Sequence, residues 1–232
     1  MKFFFKNILN WIFYLFICSF QLYGQLNSSI AVLSKVKGDV LVKSLDLSNK
    51  YLNVNPGYIL KDGDHIKTEI NSFAVLMYLD DKSMVKLKSG TSLIIRGERT
   101  GDGLKKNLDI NNGSIKSIIN KQKKGEFTVT SPTSVASVKG TSFWVITDPD
   151  QGDTFFNEEG LVEIKNLISG EIIDLIANQT GVSLLTGIIN VSQTIQSEIP
   201  IDEDSEIKIP KELKIILSGP DQEQKILIIK YN

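Results

Sequence analysis

Short runs of Val, Ile, Leu, Phe and Thr recur along the chain from Ile30 onward, and Gly, Asn, Asp and Ser separate them. Apolar and polar residues alternate inside the runs; Val85 and Leu87, for example, alternate with Lys86 and Lys88. A period of two gives a strand one dry face and one wet face. No window after residue 30 has a helical period of useful length. The pattern therefore predicts an all-β protein of many short strands.

Turn-forming residues separate the predicted strands, because Gly, Pro, Asn and Asp favour reversals of the chain. We expect a polar loop between Gly97 and Leu108, and a turn at Asn112-Gly113 followed by a short strand. Residues 114–124 fit either a strand or a short helix. Further turns are expected at Gly38-Asp39, Pro56-Gly57, Asp62-Gly63-Asp64, Asp80-Asp81-Lys82-Ser83 and Ser89-Gly90.

Glycines at about ten-residue intervals punctuate the later part of the chain. Gly160, Gly170 and Gly181 each precede alternating apolar residues. This rhythm is typical of short strands with tight corners. It indicates a compact sandwich, barrel or solenoid-like stack, without choosing among them.

Residues 1–24 have the three-part form of a secretory signal peptide. Lys2 and Lys6 precede an apolar block over residues 8–20, and Gly24 follows it. The block is shorter than the ~20 apolar residues that a spanning helix needs. We predict cleavage after Gly24 and export, to the periplasm or else to the cell surface or the medium. An uncleaved membrane anchor stays open, whereas lipid attachment at Cys18 is disfavoured by Ile17, where a small residue is needed.

The rest of the chain divides into three predicted parts: an all-β domain over residues 30–187, a linker over 188–210 and a β-hairpin over 211–232. Pro200, Pro210 and the acidic residues between them indicate the linker. Gly219-Pro220-Asp221 predicts the hairpin turn. Since a lone hairpin is marginal in water, it must pack on the main domain, on a partner or on a second copy.

Catalytic and metal-binding residues are hard to find in this sequence. His65 is the only histidine and Cys18 the only cysteine, so only carboxylates could complete a zinc site, which needs three or four ligands. Lys+Arg number 26 and Asp+Glu 27, so no strong field favours nucleic acid. A carbohydrate-active enzyme would need two carboxylates across a cleft, and Asp80, Asp81, Glu158 and Glu159 are its candidates. Because these lie at predicted turns, we predict a non-enzyme with no catalytic residue, metal or cofactor.

The stretch SPTSVASVKGTSFWV, residues 131–145, places Lys139-Gly140-Thr141 between two predicted strands. A glycine there indicates a bend or a close approach of the backbone. Lys139 and Thr141 are two residues apart, so we expect them on one face. In the structural interpretation Thr141 hydrogen-bonds the turn and Lys139 is solvated or paired. In the functional interpretation Lys139 contacts an anion or carboxylate of a ligand.

Residues 130–145 resemble the signature of the FecR domain, a Thr-Pro step, small apolar residues, an Arg-Gly-Thr step and a hydrophobic strand. Here Lys139 replaces the arginine, and Ser131 separates Thr130 from Pro132. Four other segments are similar to family segments in the same order. They are KVKGDVLVK, the run from Pro56-Gly57 through LKDGDHIKTEINSFAVLMYLDDKSMVKLKSGTSL, INNGSIKSII and NEEGLVEIKN. The resemblance covers about residues 30–185.

The resemblance implies a compact all-β FecR-like fold, outside the cytoplasm, that binds another macromolecule and is not an enzyme. Its motif positions are Pro132, Lys139, Gly140, Thr141 and Gly160, as structural or partner-contact residues. The namesake relays the state of an outer-membrane iron-siderophore receptor to a cytoplasmic anti-sigma segment. Because seven residues precede the apolar block, we expect no such segment here.

The partner expected from the resemblance is an envelope protein or polymer, with no nucleic acid, and with membrane contact only if residues 1–24 are retained. Self-association through the C-terminal hairpin is also expected. The alternative function is a membrane-anchored component of cell-surface signalling linked to outer-membrane receptors.

Overall fold

A computed structural model describes residues 29–44, 50–101, 103–121 and 126–202, and the backbone of 212–218 and 224–230. The predicted signal peptide, residues 203–210 and the Gly219-Pro220-Asp221 turn lie outside the described residues. The chain divides into two compact units, Met1–Gln196 and Ser197–Asn232. Within the described part of the chain, no helix is long and apolar enough to span a bilayer.

The first unit is built from strands β1 to β17, followed by a short 3-10 helix at Gln196–Glu198. The strands are β1 (Ser29–Lys37), β2 (Val40–Lys43), β3 (Leu52–Asn53), β4 (Ile59–Lys61), β5 (His65–Thr68), β6 (Phe73–Tyr78), β7 (Met84–Leu87), β8 (Ser92–Thr100), β9 (Gly103–Ile118), β10 (Glu126–Thr130), β11 (Ser134–Val138), β12 (Ser142–Asp148), β13 (Gly152–Glu159), β14 (Leu161–Asn166), β15 (Ile172–Ile176), β16 (Gln179–Ser183) and β17 (Ile189–Gln193). The all-β prediction is confirmed.

These strands form one 17-stranded sheet that folds into two layers and is not closed. The upper layer has the order β4-β1-β6-β7-β9-β12-β13-β16-β17. The lower layer has the order β3-β2-β5-β8-β9-β10-β11-β14-β15. Only the β9–β10 pairing is parallel among these. Of the stacking modes left open by the sequence, the structure is a two-layer sandwich.

Strand β9 belongs to both layers. Its first part pairs with β8 and β10 in the lower layer, and residues from Gly113 onward pair with β12 and β7 in the upper layer. The bend lies at Gly113, whose φ is +105°. A Cβ atom at this position would lie 2.5 Å from the Cα of Thr91. Only glycine allows this approach, so Gly113 fixes where the sheet folds over.

The apolar side of each layer faces the other layer. Leu33, Leu76 and Val145 of the upper layer share one buried cluster with Ile66 and Leu108 of the lower layer. The alternation read from the sequence thus produces the core. Tyr78 and Phe127 also meet across the two layers, edge to face, with ring centroids 5.9 Å apart.

Two predicted breaks in the sheet are wrong. The polar stretch from Gly97 to Leu108 is mainly strand, because β8 and β9 extend as a hairpin in which Glu98 lies opposite Lys105. Apart from buried Leu104 and Lys106, its residues are polar since this hairpin end meets solvent, not because it is a loop. Asn112-Gly113 produces the bend of β9 instead of a reversal, and residues 114–118 are strand, not helix.

The predicted linker also begins too early. Ile189–Gln193 forms β17, which pairs antiparallel with β16 at the end of the upper layer. Its Ile-x-Val alternation has the period of a strand. The prediction missed it because Pro200 and the acidic residues that follow suggested a linker.

The second unit contains β18 (Glu212–Ser218) and β19 (Gln224–Lys230). They pair antiparallel from Glu212 opposite Lys230 to Ser218 opposite Gln224. The predicted C-terminal β-hairpin is therefore confirmed.

A buried lysine joins the two layers near the β6–β7 turn. Lys106 lies on the inner face of β9, and its Nζ is 2.8 Å from Asp80 Oδ2 and 2.5 Å from Asp81 Oδ2. The same Nζ lies 5.2 Å from the ring centroid of Tyr78. Both carboxylates keep partial contact with solvent, so the charged cluster is paired at the rim of the core.

Replacement of this lysine tests the cluster. We expect Lys106→Ala to lower the free energy of unfolding by roughly 3 kcal/mol, since it leaves the two carboxylates without their buried cation. Lys105→Ala is the matched control, because Lys105 is the exposed neighbour on the other face of β9. Urea denaturation of both variants checks this, and equal losses would show that the ion pairs contribute nothing.

Candidate functional site

The Lys139-Gly140-Thr141 step is a corner between the two layers. The chain enters it from β11, which pairs with β10 and β14, and leaves it in β12, which pairs with β9 and β13. The backbone of Thr141 pairs with Ile119, with N–H···O distances of 3.1 Å and 2.8 Å. The step therefore turns the chain from the lower to the upper layer.

Lys139 and Thr141 do not share a face, contrary to the sequence prediction. Lys139 is exposed, whereas Thr141 is 5% exposed. The alternation breaks at Gly140, whose φ of +152° rotates the following residue inward. The predicted hydrogen bond from Thr141 to the turn is also absent, because its Oγ1 has no partner within the part of the chain that the structure describes.

Gly160, in the turn between β13 and β14, packs directly against this corner. A Cβ atom on Gly160 would lie 2.6 Å from Thr141 Cγ2 and 2.7 Å from the carbonyl oxygen of Gly140. Its φ is +84°. Asn157 Nδ2 donates to the Gly160 carbonyl at 3.0 Å and to the Leu175 carbonyl at 2.7 Å. The structure thus brings Gly140, Thr141 and Gly160 into one packed unit.

Pro132 lies apart from this unit, in the exposed turn between β10 and β11. Its neighbours Ser131 and Thr133 are buried, and both hydroxyls donate to Asp153 Oδ2 on β13 of the upper layer. Ser131 Oγ also accepts from the Ser134 N–H at 2.9 Å. The turn around Pro132 is therefore tied to the opposite layer by a buried carboxylate, which sequence reasoning missed.

Lys139 borders a groove of about 620 Å³ on the outer side of the lower layer. Three carboxylates share the groove with this lysine, and they come from three different strands. The lining residues are Glu126, Ser137, Val138, Lys139, Leu161, Glu163 and Asp174. Ser137, Glu163 and Asp174 are direct neighbours across β11, β14 and β15. The excess of negative charge favours a basic ligand group over an anion.

His65 belongs to a polar chain on the lower layer that the sequence did not reveal. Its Nδ1 lies 2.7 Å from Tyr51 Oη and its Nε2 lies 2.8 Å from Ser92 Oγ. Lys67 and Lys43 lie over the Tyr51 ring, at 4.7 Å and 5.9 Å from its centroid. Burial, followed by the charges of Lys67 and Lys43, lowers the pKa of His65.

A serine beside a histidine resembles a nucleophile and its base, yet the surroundings do not complete such a site. The hydrogen-bond partner of the second ring nitrogen of His65, Nδ1, is the hydroxyl of Tyr51 and not a carboxylate. Ser92 and His65 line neither the groove at Lys139 nor the neighbouring groove at Arg96. The arrangement fastens the segment after β2 to β5 and β8.

Three of the four carboxylates proposed for an enzyme are engaged in ion pairs and hydrogen bonds, and the fourth, Glu159, is exposed. Asp80 and Asp81 hold Lys106. Glu158 holds Lys116 at 2.9 Å and accepts from Ser142 Oγ at 2.8 Å and Trp144 Nε1 at 3.1 Å. Burial alone would raise the pKa of Glu158, but these hydrogen bonds and the charge of Lys116 outweigh it and lower that pKa. Across the described residues, no group of three or more His, Cys, Asp or Glu side chains could hold a metal.

Comparison with known proteins finds a family match in the central part of the chain. The family model described as "FecR protein" matches residues 64–163. That range contains His65, the Lys139-Gly140-Thr141 corner and Gly160. The family resemblance read from the sequence is confirmed there, and its extension to residues 30–63 and 164–185 stays a prediction. A search of curated proteins found no match to the chain.

Solved structures that match this chain include two crystal structures from Parabacteroides distasonis, at 1.65 Å and 2.50 Å resolution, provisionally described as an anti-sigma factor. Each is 18% identical to this chain, with a TM-score of 0.48. The aligned part covers 56% of this chain and 59% of the other.

Replacement of Gly160 tests the packed corner. Gly160→Ala is expected to lower stability more than Gly170→Ala, since Gly170 has a similar φ of +76° but no atom within 4 Å of the position that a Cβ would take. The control carries backbone strain of about 1 kcal/mol, and the clash with Thr141 adds roughly 1–3 kcal/mol. Urea denaturation measures both, and equal losses would contradict close packing at Gly160.

Acidification tests the environment of His65. Because its pKa is lowered in the folded chain, the unfolded chain takes up the proton first, so stability is lost as the pH falls below about 6.5. We expect the denaturation midpoint to fall between pH 7.5 and pH 5.5, and this fall to be smaller in His65→Gln. An identical pH profile for the variant would mean that His65 titrates alike in both states.

Proposed function

We propose, from the premise that residues 64–163 form a FecR domain, that this chain is an exported, non-enzymatic module of the cell envelope that acts by binding another envelope protein or polymer. The main support for the proposal is the family match, together with the positions of the motif residues in the structure. Gly140, Thr141 and Gly160 build a rigid corner, and this corner presents Lys139 at the edge of an open groove.

The interior of the domain supports a binding role over a catalytic one. Lys106, Asp153 and Asn157 are buried, and each makes hydrogen bonds or ion pairs between the layers. These groups hold the sandwich together. The charged groups left on the outer side of the lower layer line a shallow groove, which suits contact with an extended segment of a partner.

The chemistry of the groove indicates what such a partner presents. Glu126, Glu163 and Asp174 surround Lys139, while Leu161 adds an apolar contact and is 48% exposed. A segment that combines basic and apolar side chains would complement both features. The substitution of lysine for the arginine of the signature suits this position, because an exposed point charge needs no bidentate partner.

The location of the module rests on residues 1–24, whose pattern is that of a signal peptide. The periplasm is the compartment we propose, with the cell surface or the medium as further sites. The FecR family also supports the alternative, in which residues 1–24 are retained as an anchor for cell-surface signalling. The C-terminal hairpin is proposed as a second contact surface, for a partner or another copy.

Charge reversal in the groove tests the proposed binding. A tagged full-length chain is crosslinked in intact cells, and captured proteins are identified by mass spectrometry. We expect Glu163→Lys to reduce capture by roughly an order of magnitude, because like charges then face each other. Lys139→Glu should leave capture unchanged or raise it.

The control for this experiment is Glu69→Lys, an exposed reversal away from the groove. Capture of no partner by the unaltered chain, or equal losses with Glu163→Lys and Glu69→Lys, would contradict the proposal. Loss with Lys139→Glu alone would mean that the partner presents an acid. The N-terminus of the captured chain decides between the two functions: a start at Gln25 supports the exported module, and retained residues 1–24 support the anchored alternative.

A further inference from the structure

Each layer of the sandwich has two outer strands: β4 and β17 in the upper layer, β3 and β15 in the lower layer. An outer strand presents backbone groups that can pair with another chain, and natural proteins blunt such edges with charges, shortness or covering groups. The four outer strands differ in how well they are protected in this way, and β17 is the least protected.

Three of the outer strands are blunted. Strand β3 has only two residues, and β4 has three, ending at Lys61. On β15, Asp174 is exposed, and Gln179 Oε1 accepts a hydrogen bond from the N–H of Ile176 at 3.1 Å. None of these strands offers a long, unoccupied row of backbone groups.

Among the described residues of the first unit, β17 has a strand partner on one side only, β16. The carbonyl of Ile188 accepts from the N–H of Leu184, and the N–H of Thr194 donates to the carbonyl of Asn178. The backbone groups of the even-numbered residues therefore point towards β16. Since direction alternates along a strand, those of Ile189, Val191 and Gln193 point away from the sheet, and Glu171 Oε2 takes the N–H of Ile189 at 3.0 Å.

The sequence around β17 has no charge. Residues 178–197 contain no Asp, Glu, Lys or Arg, and no proline. Apolar side chains in this stretch are exposed: Ile188 is 53%, Val191 45% and Ile195 56% exposed. The usual protection of an edge strand is therefore missing here, apart from Glu171 at one end.

We infer that β17 is a self-association edge, at which two copies of this chain pair antiparallel and join their upper layers into one continuous sheet. The absence of charge argues for a second copy as the occupant. In a two-fold symmetric pairing each strand meets its own sequence, so any charge near the axis would face itself. A strand with no charge in its own residues or its flanks carries no such repulsion.

The Glu171 cap sets the register of the pairing. With the Ile189 N–H occupied, the open groups are those of Val191 and Gln193. The two-fold axis then passes at Ser192, and Val191 of one copy lies opposite Gln193 of the other. The two Ser192 residues face each other as a non-hydrogen-bonded pair, because their own backbone groups point at β16.

This register makes Ser192 the site of a diagnostic crosslink. Cα atoms of a non-hydrogen-bonded antiparallel pair lie about 4.5 Å apart, within the range that a disulfide spans. Asn190 lies on the same strand and face, but its counterpart in the other copy is four residues away, roughly 13 Å. The full-length chain carrying Cys18→Ser and Ser192→Cys is oxidised with copper phenanthroline and run on a non-reducing gel.

We expect Ser192→Cys to give a disulfide-linked dimer at least about tenfold more efficiently than Asn190→Cys, given the geometric limit on the bond. Equal crosslinking at both positions would mean random collision, and no crosslink at Ser192 would mean that β17 does not pair in this register; either result overturns the inference.

Light scattering on the purified chain gives a second readout. We expect a dimer that Val191→Asp converts to monomer and that Ile172→Asp, an exposed change on β15, leaves intact. Circular dichroism shows that both variants are folded. A monomeric unaltered chain at micromolar concentration, or a dimer that survives Val191→Asp, overturns the inference, and the second result would assign association to another surface.

Discussion

The passage of β9 from one layer to the other is the constraint on which the rest of the domain depends. This 16-residue strand is hydrogen-bonded in both layers, and it changes layer at Gly113, where the backbone of Thr91 leaves no room for a side chain. Thr91 Oγ1 supports the bend by donating to the carbonyl of Ser114 at 3.0 Å and accepting from its N–H at 3.1 Å. The bend sets the offset between the layers, and thereby the position at which β11 must turn into β12.

The candidate surface follows from that offset. Strands β10 and β12 both pair with β9, on opposite sides of its bend. The chain between β11, which pairs with β10, and β12 therefore has to cross from layer to layer within a few residues. Gly140 allows the crossing, Thr141 is buried after it, and Gly160 packs against both residues. Lys139, the last residue before the crossing, is left outside, where β14 and β15 bring Glu163 and Asp174 beside it.

The sequence predicted the parts of this fold that depend on local pattern. Alternation of apolar and polar residues marked most strands, and the family motifs marked the corner at Gly140. The apolar-polar pattern was insufficient where one residue type occurs in two conformations. Asn112-Gly113 could reverse the chain or bend a strand, and only the pairing of β9 with strands of both layers distinguishes the two. Contacts across the layers were also out of reach. Asp153 with Ser131, Asn157 with Leu175, and His65 with Ser92 are separated by 18 to 27 residues, and no spacing rule joins them.

Buried polar groups explain why a small sheet protein without a cysteine in its described residues can keep one arrangement of its layers. Apolar side chains alone would tolerate a slip of one layer over the other, since the hydrophobic effect is not directional. A slip would separate Lys106 from Asp80 and Asp81, and Asp153 from the hydroxyls of Ser131 and Thr133, and each would then be a buried group without a partner. The acidic groove around Lys139 and the uncharged edge at β17 take no part in these contacts between the layers.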